Sequence, residues 1–217
     1  MNNRITEILH IDYPLVQGPM SWMTDAKLVA AVSNAGGLGI LGPHAGQMKA
    51  AKTTEDLIAH TRAEIRKTRD LTGKPFGVST LHIHDLSEIA PMVDLLIEEH
   101  VPVAMVNGMD GIDCAPTIAK LKAAGIKTLY RPLTSTVTNA RYAEQSGADV
   151  FVVSGFDEGG TLPGQVIGTF SLVPQIADAV NIPVLASGGI ADVRGVRAAF
   201  ALGAEGIYAG TVFLATT

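Results

Sequence analysis

From Leu15 onward, short apolar runs alternate with longer stretches in which apolar residues recur every three or four positions. Eight runs have strand length: Leu15–Gln17, Leu38–Leu41, Phe76–Ser79, Val103–Val106, Lys127–Tyr130, Val150–Val153, Val184–Ala186 and Ile207–Ala209. Seven amphipathic runs lie between them: Asp25–Asn34, Thr54–Thr72, Leu86–Glu99, Ala115–Ala124, Thr136–Ser146, Phe170–Val180 and Asp192–Leu202. Asp25 and Asp192 stand where helix N-caps belong, and Gly125, Gly147 and Gly203 follow helical runs as stops. Prolines 14, 75, 102 and 183 precede strands, where a missing N–H does least harm. Strict strand–helix alternation predicts a parallel sheet of the α/β class, and eight units predict a (β/α)8 TIM barrel. Only seven helices connect the eight strands, and the sequence stops at Thr217, just beyond the eighth. The expectation is one barrel domain over residues 1–217, truncated after strand 8, with the final helix missing. Apolar surface left open there costs about 25 cal/mol per Å².

Composition narrows the class. The chain has 217 residues, 47% apolar and 17% charged, enough for a large core. With 16 basic and 21 acidic residues the net charge is −5, without a basic stripe, so nucleic acid is not an expected partner. No apolar run reaches bilayer length, and the first residues lack a signal-peptide core. No membrane is expected; the lone Cys114 fits a reducing cytoplasm and reads as a buried structural thiol. A small-molecule substrate is the expected partner, and a homo-oligomer is compatible with this surface.

The last three strands end in small-residue turns: Gly159-Gly160, Gly188-Gly189 and Gly210-Thr211. Such turns at the C-terminal ends of late barrel strands bind phosphate, because glycine lets backbone N–H groups approach a dianion. A phosphorylated cofactor or substrate follows.

The motifs then carry a resemblance. Y-P-L-V-Q-G-P-M (13–20), V-S-N-A-G-G-L-G (32–39), G-F-D-E-G-G (155–160), L-V-P-Q (172–175), S-G-G-I-A-D (187–192) and G-T-V-F-L (210–214), in this order, resemble the FMN-dependent nitronate monooxygenase family. That family was formerly called the 2-nitropropane dioxygenases and includes FMN-dependent enoyl-acyl-carrier-protein reductases. Its members usually continue on the order of a hundred residues further, as enlarged barrels do. The resemblance implies an FMN-dependent oxidoreductase that oxidises nitronates or a related carbanion-forming substrate, with oxygen as acceptor. Alternatively it implies an enoyl reductase with NAD(P)H as donor. It places Gly18, Pro19 and Met20 beneath the flavin ring. Ser79 stands at the usual asparagine position, Ser154 at a usual glutamine, and Asp157 at the acidic residue of G-x-E-A-G-G. Gly159, Gly189, Gly210 and Thr211 take the phosphate and ribityl positions, with Tyr208 and Ala209 entering the last turn, and Gly160, Ser187 and Gly188 belong to the same cofactor-binding set.

One position departs. Where active relatives have histidine after G-G, this chain has Thr161, and threonine cannot exchange a proton at working pH. The catalytic residue is therefore unassigned, with His82 and His84 as candidates and His44 similarly placed after strand two. Neutral nitroalkanes should then react more slowly than preformed nitronates. His82, His84 and Asp85 also admit a metal hydrolase, but strands five, six and eight lack the histidines it needs, so no metal is expected. A flavin-free phosphate-ligand isomerase or lyase and a non-catalytic flavin-binding fragment remain as other classes. The G-x-G-x-x-G string at 37–42 runs into a strand and lacks a dinucleotide site's context. Phe151 and Val152 read as core, Trp22 as a flavin-pocket wall or a core residue, and residues 64–70 as a solvated helix face.

Overall fold

A computed structural model describes residues 3–82 and 86–215, apart from the side chains of 81–82 and 86–88. Eight strands form a closed parallel barrel in chain order: β1 Leu15–Gln17, β2 Leu38–Leu41, β3 Gly77–His82, β4 Val103–Gly108, β5 Lys127–Pro132, β6 Val150–Ser154, β7 Val184–Ser187 and β8 Gly206–Ala209. The ring closes where β1 pairs with β8, Val16 opposite Tyr208. The connecting helices are α2 Ala26–Asn34, α3 Thr54–Leu71, α4 Leu86–Glu98, α5 Ala115–Ala123, α6 Val137–Gln145, α7 Thr169–Ala177 and α8 Val193–Ala201. Helix caps behave as their residue types require. The Asp25 carboxylate accepts from the N–H groups of Lys27 and Leu28, and Asp192 from those of Arg194 and Gly195.

Strand alternation divides the core into two shells. Val103, Met105, Val150, Val152 and Leu185 fill the barrel interior. Their neighbours Ala104, Val106, Phe151, Val153 and Ala186 face outward onto helices, against residues such as Ile118, Leu121 and Val173. Phe151 and Val152 are both fully buried, one in each shell.

Two helices differ from the sequence expectation. An N-terminal helix, α1 Arg4–Leu9, places Ile5 and Leu9 in the inner shell. Asn3 caps it, and Arg4 forms an ion pair with Glu205 at the start of the β8 segment. Ile5, Ile8 and Leu9 have helical spacing, but six residues are too few for a periodicity to register; only the cluster they join reveals the helix. At the other end a single turn, α9 Thr211–Leu214, follows β8 where no helix was expected. The charged run on α3 is also not wholly solvated: Glu64 is largely buried and accepts the Ala26 N–H at 2.9 Å, supporting the start of α2. Among the described residues no helix is long and apolar enough to cross a membrane.

Candidate active site

The C-terminal ends of the strands open into one cavity of about 910 Å³. Its floor is β1's exit, Gly18-Pro19-Met20, together with Tyr208 and Met105 from the inner shell. Gly18 is required by contact: a Cβ there would lie 2.5 Å from Tyr208 Cε1. The Tyr208 hydroxyl approaches Met105 Sδ at 3.2 Å, and burial raises its pKa above the usual tyrosine value.

One wall is the paired glycine turns. Gly188 has φ +109°, and a Cβ there would lie 2.5 Å from Thr169 Oγ1; Gly189 has φ +67°, left-handed backbone that side chains disfavour. The N–H groups of Gly189, Gly210 and Thr211 donate to no acceptor among the described residues. A Cβ on Gly210 would meet only Met20, at 3.8 Å, so this turn borders open space. Unspent donors on a glycine cradle fit a phosphate monoester, and the cavity volume falls within the range of cofactor pockets.

The loop after β6 forms the opposite wall and is anchored from below. Asp157 Oδ2 accepts the Thr169 N–H at 2.7 Å, Thr169 Oγ1 donates to Ser187 O at 2.8 Å, and Gly155 N donates to the same carbonyl at 3.2 Å. Asp157 thus borders the cavity while holding the start of α7, a helix whose Gly168 N-cap offers no side chain.

Most of the residues singled out by sequence meet here. Gly18, Pro19, Met20, Ser79, Asp157, Gly159, Gly160, Ser187, Gly188, Gly189, Tyr208, Ala209, Gly210 and Thr211 line the cavity, as does Thr161, which is exposed at its rim. Ser154 does not: it is fully buried behind the lining, where its Oγ accepts from Arg131 Nε at 3.1 Å. His84, and the side chain of His82, lie outside the described residues. Trp22 is neither core nor pocket wall. It is 40% exposed and stacks on His44, ring centroids 4.5 Å apart, in the loops beside the mouth. Its backbone has φ +71°, the left-handed region.

Three polar residues that sequence reading passed over complete the site. Asn107, near the end of β4, donates to Ser79 Oγ at 2.8 Å. Arg131, at the end of β5, forms an ion pair with Glu158 Oε2, the two side chains 11% and 6% exposed. Glu158 Oε1 is buried and finds no partner among the described residues. Burial raises the Glu158 pKa above the ordinary carboxylate value, opposed by the charge and hydrogen bond of Arg131 and by Ser154. The available signal was a lone polar residue closing an apolar run, as in M-V-N-G and L-Y-R-P, where barrel enzymes place chemistry.

The nitronate monooxygenase family profile matches residues 2–217. The chain belongs to this family. It is 41% identical, over its full length, to a (3aS,4S,5R,7aS)-5-hydroxy-7a-methyl-1-oxo-octahydro-1H-indene-4-carboxyl-CoA dehydrogenase of Rhodococcus jostii, of which it spans 56%. It is 36% identical over 98% of its length to a probable nitronate monooxygenase of Staphylococcus aureus, of which it spans 67%. Among solved structures, FabK from Thermotoga maritima superposes with a TM-score of 0.86 at 38% identity, covering all of this chain and 64% of FabK. Nitroalkane oxidase from Streptomyces ansochromogenes gives 0.81 at 29% identity, covering 98% of this chain and 68% of the oxidase. The chain thus spans between about half and two thirds of these family members.

Proposed function

We propose that the protein is an FMN-dependent oxidoreductase whose substrate forms a stabilised carbanion, as a nitronate does. The carrying observation is the combination of unspent N–H groups on the Gly189 and Gly210-Thr211 turns with the Gly18–Met20 floor. Bound there, FMN would supply a two-electron acceptor. Gly189, Gly210 and Thr211 would hold its phosphate, and Gly18-Pro19-Met20 would carry the ring. Met105 and Tyr208 keep the floor apolar, while Ser79 and Asn107 offer hydrogen bonds at its edge. FMN is preferred to FAD because the Gly188-Gly189 and Gly210-Thr211 turns can hold one terminal phosphate and no adenylate-binding unit is evident among the described residues.

A second reading is a thioester substrate with NAD(P)H or a related donor. The cavity's volume and the apolar side chains at its mouth, Met23 and Leu214, about half exposed, favour it. So does the identity to the Rhodococcus carboxyl-CoA dehydrogenase, which exceeds that to the Staphylococcus protein. The test is the absorbance spectrum of the purified protein and chromatography of the released flavin. Anaerobic reduction by nitronates is then compared with NAD(P)H plus enoyl or hydroxyacyl thioesters. Release of FAD, or a colourless protein that takes up no FMN, overturns the proposal. Reduction by nitronates alone removes the second reading.

A further inference from the structure

We infer that Glu158 is the residue that removes the substrate's carbon-bound proton, with Arg131 holding the oxygens onto which the electron pair is delocalised. The inference rests on the oxidoreductase reading above and assigns the proton transfer at that same site.

The geometry carries it. Glu158 borders the cavity; its Oε2 is committed to Arg131, while its Oε1 is buried without a partner among the described residues. An unmade hydrogen bond on a buried carboxylate oxygen is costly, and it is retained at positions that act on a ligand. Arg131 Nε donates to Ser154 and Nη2 to Glu158, whereas Nη1 donates to none of the described residues. Both groups line the cavity that includes Met20 and Gly189. Thr161, on the same loop, has no titratable group, but Glu158 stands three residues earlier.

Charge balance favours this step. At rest the carboxylate is negative and the guanidinium positive. When Glu158 Oε1 takes the proton, the C–H bond breaks and its electron pair stays on the substrate. It spreads onto nitro or carbonyl oxygens within reach of Arg131. The negative charge moves from one partner of Arg131 to another, so no unpaired charge is created in a buried site. Arg131 on β5, itself steadied by Ser154 on β6, fixes the carboxylate, and among the described residues Tyr208 on β8 and Asp157 on the same loop are its other titratable neighbours at the cavity. Burial also makes the carboxylate a stronger base than an exposed one, as general-base catalysis near neutral pH requires. Neutral substrates then need no histidine at 161, and the expected slowness on nitroalkanes disappears.

The test compares wild type, Glu158→Gln and Glu158→Asp, each loaded with flavin. Glutamine keeps the size and the contact with Arg131 but cannot take the proton. Anaerobic flavin bleaching by nitroethane should fall about 10²- to 10⁴-fold in Glu158→Gln, while bleaching by preformed ethyl nitronate stays within a few-fold of wild type. Glu158→Asp should recover part of the loss. A second readout needs no electron transfer: deuterium wash-in from D2O into nitroethane, followed by proton NMR with the pre-reduced holoprotein. Wild type should accelerate it and Glu158→Gln should not. Wild-type wash-in no faster than buffer, or equal losses on nitroethane and nitronate in Glu158→Gln, overturns the inference. So does an unchanged Glu158→Gln. A wild type that retains no flavin overturns the oxidoreductase reading instead, and wash-in by that protein still decides the role of Glu158.

Discussion

Replacing Gly18 with alanine should destabilise the barrel through one identifiable contact. The added Cβ would sit 2.5 Å from Tyr208 Cε1, 2.6 Å from Cζ and 2.9 Å from the hydroxyl oxygen. Carbon atoms touch near ~3.5 Å, so the overlap is about 1 Å. Neither side yields easily. The Gly18 N–H is bonded to Ala209 O at 2.8 Å, which fixes the backbone to β8. The ring is 7% exposed, its hydroxyl 3.2 Å from Met105 Sδ, so retreat disturbs the inner shell. Overpacking of this kind costs about 1–3 kcal/mol, a sizeable part of a typical ~5–15 kcal/mol stability. Urea unfolding of wild type, Gly18→Ala, Tyr208→Ala and the double variant isolates the contact. Tyr208→Ala alone should cost about 3–5 kcal/mol, as large aromatic truncations do. In that background Gly18→Ala should cost less than about 0.5 kcal/mol, leaving a coupling of about 1–3 kcal/mol. An equal penalty in both backgrounds, or none in wild type, would refute the claim that the ring dictates glycine at 18.

Three further outcomes can be measured directly. Gly189→Trp combines a side chain at φ +67° with a Cβ 3.2 Å from Asp157, and it should lose FMN on gel filtration; full retention would remove that turn from the cofactor site. Glu99 is held by Arg66, Arg62 and Arg69, which bring its pKa from 4.5 down to about 2. Because the folded value is the lower one, the stabilisation is present above about pH 4.5 and fades as pH falls toward 2, so the stability gap between wild type and Glu99→Gln should close over that window; a pH-independent gap would contradict it. Burial pushes the Cys114 thiol up to about 11, so iodoacetamide at pH 8 should label it only after denaturant is added, and rapid native labelling would contradict its burial.

The site has a mixed origin. The glycine cradle is written locally, in turns that each follow an apolar run, so Gly188-Gly189 and Gly210-Thr211 were legible before any folding. The proton-handling pair was not. Arg131 and Glu158 are 27 residues apart, and each alone resembles any surface charge. They meet because β5 and β6 pair in a register that sets Tyr130 opposite Phe151 and carries both chain exits to the same side of the cavity. Ser154 shows the reverse case: a position matched by motif proves to stand behind Arg131, where it steadies the guanidinium instead of bordering the cavity.

The amino-acid sequence by itself determined the alternation of strands and helices, their caps, the eightfold count and the family, because periodicity, turn chemistry and motif order are properties of neighbouring residues. Only the tertiary structure decided that α1 packs Ile5 and Leu9 against the inner shell, that Trp22 stacks on His44, and that Glu158 keeps one buried oxygen without a partner among the described residues beside Arg131. Each of those depends on which distant surfaces are brought into contact. Burial and pairing energies exist only once the ring from β1 to β8 has closed.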